Sequence, residues 1–249
     1  MNMDYLFPLS ETASLAVFAV LTTLTSFLLL QFIFEAGSFL RVWHKAWNIK
    51  LPFTVFFVAA RRLGGFLLLG FLPLLAALLI GIPPENFMAE KMNIARTFQV
   101  FLVFLVPVGL INYLNASGKD NLAMYPQMRL SSWNFSLALF SSLLWLLYLM
   151  GYEFLFRGIL LYGTIPCCGA ILSVCLNVAL YSLAHLPKGR KETLGSIPMG
   201  FLLCGITLYT GSFWAAFAVH AQLALTNEYF SIFQGLRKGY IERFDWNRS

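Results

Sequence analysis

Long apolar runs separated by short polar segments form the main pattern of this chain. A helix that crosses a membrane needs about 20 consecutive, predominantly apolar residues. Seven runs approach this length, and they cover residues 13–36, 63–82, 97–114, 133–163, 168–186, 194–209 and 212–231. The pattern predicts an all-α fold, a polytopic bundle of transmembrane helices with seven spans, or with eight as the main alternative.

Three further features affect where the helices begin and bend. The apolar stretch FTVFFVAA at 53–60 is too short to span, so it either lies in the membrane interface or extends the second helix. Aromatic and basic residues alternate in 37–52, as they do in interfacial helices. Gly151 is a candidate bend within the long run 133–163.

Composition supports a membrane protein and excludes two other classes. The chain is 59% hydrophobic and 11% charged, with a mean hydropathy of +0.74, whereas soluble domains have about 45–50% apolar and about 25% charged residues. Its net charge of +6 is divided among short loops. Because no basic face with interleaved aromatic residues is present, we expect no nucleic-acid partner.

Loop charges predict the orientation of the bundle. With the N-terminus outside, fourteen of the seventeen Lys and Arg residues lie in loops or in the tail on the inner side, Arg62 among them, and only Lys91 and Arg96 lie outside. The seventeenth is Arg157, within a span. The positive-inside rule therefore predicts a cytoplasmic C-terminus, and we expect a prokaryotic inner (plasma) membrane location. We divide the chain into N-terminal helices with an interfacial segment (1–132), a transmembrane core (133–231) and a basic cytoplasmic tail (232–249).

Ionisable residues within or beside the spans are the candidate site. An ionisable side chain inside a membrane span is costly and usually functional. Here the C-terminal half concentrates such residues, which are Glu153, Arg157, His185, Glu192, His220 and the neighbouring Asn227. Glu153 and Arg157 are four residues apart, so they share one helix face and Arg157 can orient the acid.

A carboxylate and two imidazoles can activate a water molecule for hydrolysis. Glu153 would take the proton of the water, while His185 and His220 hold the water or stabilise an oxyanion. The same three residues could bind zinc, but the helical HExxH pattern is missing, so zinc is open but not favoured and we expect no cofactor. At about 1.5 Å per residue, the three lie at different distances from the predicted turns, and tilt or a break must bring them together.

These residues resemble a known family, the CAAX protease and bacteriocin-processing enzymes, which are glutamate-type intramembrane proteases. That family carries EExxxR, FxxxH and HxxxN on successive core helices, and the counterparts here are YEFLFR (152–157), YSLAH (181–185) and HAQLA (220–224). The resemblance covers about residues 133–230. It implies a fold of roughly eight helices with a polar cavity open to one membrane face, in which glutamate and histidine activate water to cut a peptide bond.

The chain departs from that pattern at two positions. Tyr152 stands where the family usually has its water-activating acid, and Ala224 replaces the Asn of the third block. The resemblance therefore identifies a divergent member with a single Glu in the motif. It makes Glu192 a candidate second acid, and Asn227 a candidate for the part of the missing amide.

Two functions are compatible with the sequence. The first is an intramembrane endopeptidase that hydrolyses a membrane-associated protein or peptide, with the lipid bilayer as its other partner. The second is a catalytically inactive membrane scaffold or immunity factor of the same fold, motivated by Tyr152 and Ala224.

Overall fold

The computed structural model describes residues 10–35, 38–88 and 93–245. It contains ten α-helices within these ranges: α1 (Glu11–Glu35), α2 (Ser38–Ala46), α3 (Phe53–Phe66), α4 (Leu72–Leu79), α5 (Ile94–Asn115), α6 (Lys119–Met124), α7 (Phe135–Glu153), α8 (Gly163–Leu183), α9 (Arg190–Thr210) and α10 (Trp214–Arg237). Two π-helical segments (Leu67–Phe71 and Phe154–Tyr162) and two 3₁₀ turns (Pro84–Phe87 and Leu186–Lys188) connect some of them. The short strands β1 (Ser132–Asn134) and β2 (Arg243–Asp245) pair in parallel.

Five helical segments in the described ranges are long and apolar enough to cross a membrane. They are Glu11–Phe34, Phe53–Leu79, Ile94–Asn115, Phe135–Leu183 and Arg190–Thr210. The predicted all-α membrane bundle is thereby confirmed. The number of spans stays a prediction, because α10 is not among the five segments and Phe135–Leu183 contains a reversal.

The second span is longer than the apolar run that predicted it. α3, the π-helical segment Leu67–Phe71 and α4 follow one another without a break from Phe53 to Leu79, so the stretch 53–60 extends this helix. The prediction that Arg62 is a loop cation is consequently wrong. Arg62 is buried within α3, where Glu228 of α10 compensates its charge at 3.7 Å.

A glycine reverses the chain between the fourth and fifth predicted spans. Gly169 has φ 74° and ψ 163°, inside a stretch that is otherwise helical. This backbone conformation suits glycine because it carries no Cβ. Gly169 lies sixteen residues after Glu153 and sixteen before His185, so both are about 24 Å from the reversal at 1.5 Å per residue. The sequence predicts that Glu153 and His185 lie at different distances from the turn between their helices. With the reversal at Gly169, the two distances are equal.

Gly151 lies within α7 and allows close packing of helices. A Cβ built on Gly70 would lie 2.9 Å from Cα of Gly151, and one built on Gly151 would lie 3.1 Å from N of Gly70. Both positions are helical or π-helical. The two glycines therefore let the backbone of the second span touch that of α7, which carries Glu153.

The Gly70 contact makes a prediction about stability. In the variant Gly70→Ala the new methyl group meets the backbone of Gly151, so the helices must separate, and we expect a loss of about 1–3 kcal/mol. Gly109→Ala in α5 is the matched control, because no atom lies within 4 Å of its Cβ position. The control should be neutral or slightly stabilising. Thermal unfolding of both variants in detergent micelles measures the difference, and equal midpoints would contradict the proposed contact.

Packing around the C-terminal core positions the site. α8 packs against α1, α9 and the π-helical segment Phe154–Tyr162, while α10 packs against α5, α7 and α9. α10 ends at Arg237, so the boundary predicted between residues 231 and 232 falls inside this helix. β2 joins the predicted tail to residues 132–134. The orientation prediction stays open, and residues 1–9, Lys91 and Arg248, which contribute to it, lie outside the described residues.

Candidate active site

A buried carboxylate, a guanidinium and an imidazole form the centre of the site. Glu153, the last residue of α7, and Arg157, within the following π-helical segment, both have fully buried side chains. Nη1 of Arg157 lies 3.3 Å from Oε2 of Glu153, and Nδ1 of His220 lies 2.5 Å from Oε1 of the same carboxylate. One carboxylate oxygen of Glu153 thus faces the guanidinium of Arg157, and the other contacts the ring of His220 from α10.

The π-helical segment has its own support from α8. Nδ2 of Asn177 donates a hydrogen bond to the carbonyl oxygen of Phe156, and Oδ1 of Asn177 accepts one from Sγ of Cys204 at 3.3 Å. π-Helical segments are rare and frequently occur at functional sites. Asn177 and Cys204 therefore fix the local backbone that places Arg157 beside Glu153.

His185 lies just beyond the C-terminal end of α8. Its Nδ1–H donates a hydrogen bond to the carbonyl oxygen of Tyr181 at 2.9 Å, because a carbonyl oxygen can only accept. Burial and, to a smaller extent, the nearby positive charge of Lys188 lower the pKa of His185 to about 3. The ring is therefore neutral at physiological pH, with Nδ1 protonated and Nε2 free to accept.

Tyr152 and Tyr181 connect the two histidines. The ring centroid of Tyr152 lies 6.4 Å from that of His185 and 6.0 Å from that of His220, in both cases edge-on. Tyr181 lies 4.6 Å from His185 and 6.4 Å from His220, and the guanidinium carbon of Arg157 is 4.3 Å from the centre of its ring. The two histidines, predicted from different helices, are thus brought into one aromatic cluster.

A cavity of about 1210 Å³ opens onto this cluster. Tyr152, Tyr181, His185 and His220 contribute to its wall, together with residues of the loop 115–127 and of the segment 187–192. Glu153 and Arg157 are absent from the wall, which places them behind the aromatic and histidine rings. A peptide in the cavity would therefore meet His185, His220 and Tyr152, and Glu153 would act through His220.

The two remaining sequence candidates line the cavity away from the Glu153 pair. Glu192 is half-buried in the first turn of α9 and reaches the cavity wall. Nδ2 of Asn227 donates a hydrogen bond to Oδ1 of Asn121 at 3.0 Å, which ties α10 to α6. The structure thus brings Glu153, Arg157 and His220 into direct contact, and it gives Glu192 and Asn227 no hydrogen bond to them among the described residues.

Sequence reasoning did not single out Asn177 and Cys204, and it gave no role to Tyr181 although this residue begins the motif block YSLAH. A signal for Asn177 and Tyr181 was present on α8, where buried polar or aromatic residues recur every four positions on one face: Ser173, Asn177, Tyr181 and His185. Such a stripe on an apolar helix marks the face turned to the protein interior.

No group of three His, Cys, Asp or Glu side chains that could hold a metal ion occurs in the described part of the chain. The two imidazoles and the carboxylate are arranged in series, with Glu153 on Nδ1 of His220. This is the position in which a carboxylate orients a histidine ring.

Comparison with known sequences agrees with the motifs. Residues 133–226 match the model of the family described as type II CAAX prenyl endopeptidase Rce1-like, and no curated protein or solved structure matches the chain. The match includes all three motif blocks and ends before Asn227. The resemblance expected from the motifs is confirmed: the segment that builds the site, residues 133–226, is similar to the Rce1-like group of type II CAAX prenyl endopeptidases.

Proposed function

We propose that this protein is an intramembrane endopeptidase in which His220, oriented by Glu153, removes a proton from the attacking water. The observation that carries the proposal is the 2.5 Å contact between Nδ1 of His220 and Oε1 of Glu153 at the wall of the cavity. Membership of residues 133–226 in a protease family supports the reaction class.

The Glu153 contact determines the protonation of His220. A carboxylate only accepts hydrogen bonds, so Nδ1 of His220 carries the proton and Nε2 is free to accept another. When Nε2 takes a proton, the carboxylate stabilises the resulting imidazolium, as in the acid, histidine and nucleophile arrangement of serine proteases. Arg157 compensates the charge of Glu153 in its buried position.

His185 provides a second acceptor. Its Nδ1–H is engaged with the carbonyl of Tyr181, so its Nε2 is free in the neutral ring. We propose that one proton of the water faces Nε2 of His220 and the other faces Nε2 of His185. Two fixed acceptors would hold the oxygen lone pair toward the peptide carbonyl, which lowers the entropic part of the barrier.

The reaction then proceeds in two balanced steps. The water oxygen bonds to the carbonyl carbon, the π electrons move to the carbonyl oxygen, and the water proton moves to Nε2 of His220. In the second step the carbonyl re-forms, the bond between carbon and nitrogen breaks, and the proton on Nε2 passes to the leaving nitrogen. The products are a carboxylic acid, which ionises at neutral pH, and an amine.

The proposed substrate is a peptide segment of a membrane-associated protein. The cavity belongs to a bundle with several apolar helices suited to a bilayer, and its wall includes loop residues that an extended peptide could reach. The description of the matching family supports a segment beside a prenylated cysteine as the first probe. We further propose a prokaryotic plasma membrane, with a cytoplasmic C-terminus.

His220→Ala tests the proposal. The purified protein in micelles is incubated with a farnesylated peptide that ends three residues after its cysteine and with a peptide digest of membrane proteins. New peptide ends are identified by mass spectrometry. Wild-type protein should cut at least one peptide, and His220→Ala should slow that cleavage by about 10³-fold, because the general base is lost. EDTA should leave the wild-type rate unchanged.

His44→Ala is the matched control. Nε2–H of His44 donates a hydrogen bond to the carbonyl oxygen of Leu51 at 2.7 Å. His44 lies outside the cavity wall. Its variant should keep the wild-type rate. Two results would contradict the proposal: wild-type protein that produces no new peptide ends, or new ends that His220→Ala produces equally well. In the first case the alternative function, an inactive membrane scaffold, is supported instead.

A further inference from the structure

We infer that the hydroxyl group of Tyr152 is the hydrogen-bond donor that stabilises the oxyanion of the tetrahedral intermediate. The inference rests on the proposed function and assigns a catalytic role to a residue that replaces the acid expected at this position. It is argued from the burial of Tyr152, from its place between the histidines and from the donors that the site otherwise lacks.

The first observation is the environment of the hydroxyl group. Tyr152 is 4% exposed and its ring lines the cavity. Its hydroxyl oxygen is buried and has no hydrogen-bond partner among the described residues. A buried polar group without a partner is costly and is rare in folded proteins. A hydroxyl group kept in that condition at the wall of a cavity is suited to a partner supplied by the substrate.

The second observation is the position of the ring. Tyr152 is the residue whose ring lies edge-on to both histidines, with angles of 90° to His185 and 83° to His220. Phe156 and Tyr148 pack against the same ring at 4.7 and 5.9 Å. These contacts fix the ring, so the hydroxyl group is positioned before a substrate arrives.

The third observation is a shortage of donors. The protonated nitrogens of His185 and His220 are both engaged, one with the carbonyl of Tyr181 and one with Glu153. Their free Nε2 atoms accept, so they can hold water but cannot donate to an oxyanion. Arg157 is fully buried behind the cavity wall. Of the tyrosines that line the cavity near the histidines, Tyr152 is the one whose hydroxyl oxygen is buried and has no hydrogen-bond partner among the described residues.

Nε2 of His185 and Nε2 of His220 accept hydrogen bonds from the water, and the O–H of Tyr152 supplies the donor that the substrate carbonyl needs. As the water oxygen attacks, negative charge accumulates on the carbonyl oxygen of the substrate. The O–H of Tyr152 donates a hydrogen bond to that oxygen and keeps its own proton, which a phenol holds at neutral pH because its ordinary pKa is about 10. The proton of the water still passes to His220 and then to the leaving nitrogen.

Tyr152→Phe tests the inference, because it removes the hydroxyl group and keeps the ring. We expect a fall in kcat of about 10²–10³-fold, the usual effect of losing one oxyanion donor, and a KM within about threefold of the wild type because the interaction forms in the transition state. The melting temperature should be unchanged or higher, since an unpaired buried hydroxyl group is removed. The peptide that His220-dependent cleavage identifies serves as the substrate.

Tyr229→Phe is the matched control. Tyr229 lies on α10, its hydroxyl group shares a hydrogen bond with Oγ of Ser142 at 2.7 Å, and its side chain does not line the cavity. This variant should keep kcat within about twofold, because it loses a hydroxyl group away from the site. A merely structural role for the Tyr152 hydroxyl group would move the melting temperature and leave kcat of the folded enzyme unchanged.

The outcomes separate this inference from the proposed function. If Tyr152→Phe cleaves the peptide at the wild-type rate, the donor role of Tyr152 is overturned and the His220 mechanism stays intact. Absence of wild-type cleavage overturns both. If Tyr152→Phe loses both fold and activity, the variant Tyr152→His tests the donor role instead. This variant keeps an aromatic ring and offers an N–H group as the hydrogen-bond donor. Recovery to within about tenfold of the wild-type kcat supports the inference, and a rate as low as that of Tyr152→Phe overturns it.

Discussion

Replacing Glu153 by Gln is expected to reduce kcat by about 10³–10⁴-fold, the effect seen when the acid behind a catalytic histidine loses its charge. The amide keeps the size of the side chain. It no longer stabilises an imidazolium at His220, and its NH₂ group can donate to Nδ1 and reverse the tautomer of the ring. Initial rates with the peptide identified by His220-dependent cleavage measure the effect.

The same substitution should destabilise the protein, and a second change separates the two effects. Glu153→Gln leaves Arg157 buried without a counter-charge, and breaking a buried ion pair costs about 3–5 kcal/mol. The double variant Glu153→Gln, Arg157→Met removes both charges, so it should recover most of the stability and remain inactive. A folded double variant with the wild-type rate would contradict the role of Glu153 in catalysis.

The second large effect concerns the buried pair of Arg62 and Glu228, which joins α3 to α10. Nη1 of Arg62 donates to the carbonyl and hydroxyl oxygens of Ser141 at 2.7 Å, and Nη2 donates to Oε1 of Gln127 at 3.0 Å. Glu228 in turn accepts from the backbone N–H of Gln127 at 3.1 Å, and Arg62 lies 4.2 Å from the ring centre of Trp145. Removing Arg62 therefore leaves the Glu228 carboxylate without its counter-charge and takes a donor away from Ser141 and Gln127.

We expect Arg62→Met to lower the free energy of unfolding by about 3–5 kcal/mol. The double variant Arg62→Met, Glu228→Gln should be clearly more stable than the single one, because no unpaired charge remains. Unfolding of the wild type, of the single variants Arg62→Met and Glu228→Gln and of the double variant in micelles gives the coupling free energy as a double-mutant cycle. Lys191→Met removes the exposed ion pair with Asp120, and this control should shift the melting temperature by no measurable amount. Additive effects of Arg62→Met and Glu228→Gln would contradict the coupling.

The helical membrane class and the three motif blocks could be predicted from the sequence for a local reason. Hydropathy over about 20 residues reports whether a helix can span, and a spacing of four residues reports which side chains share a helix face. Both properties belong to a continuous stretch of chain. The pair of Glu153 and Arg157, whose side chains lie 3.3 Å apart, follows from such spacing.

Contacts between helices could not be predicted in the same way. Glu153 and His220 are 67 residues apart, and their contact depends on the crossing of α7 and α10. The sequence suggested that Glu153 itself faces the water, whereas the structure puts it behind His220 and leaves Tyr152 on the wall. Arg62 was assigned to a loop because a cation interrupts an apolar run, and only Glu228, 166 positions later, accounts for its burial.

The sequence by itself determined that the chain forms apolar helices, that a few ionisable residues lie among them, and that Tyr152 replaces an acid. The tertiary structure alone decided what these residues can do together. It placed Glu153 on Nδ1 of His220, set both histidines around Tyr152 and left the tyrosine hydroxyl group without a partner among the described residues. The physical reason is that hydropathy acts along one helix, whereas hydrogen bonds and ring contacts at a site depend on how several helices cross.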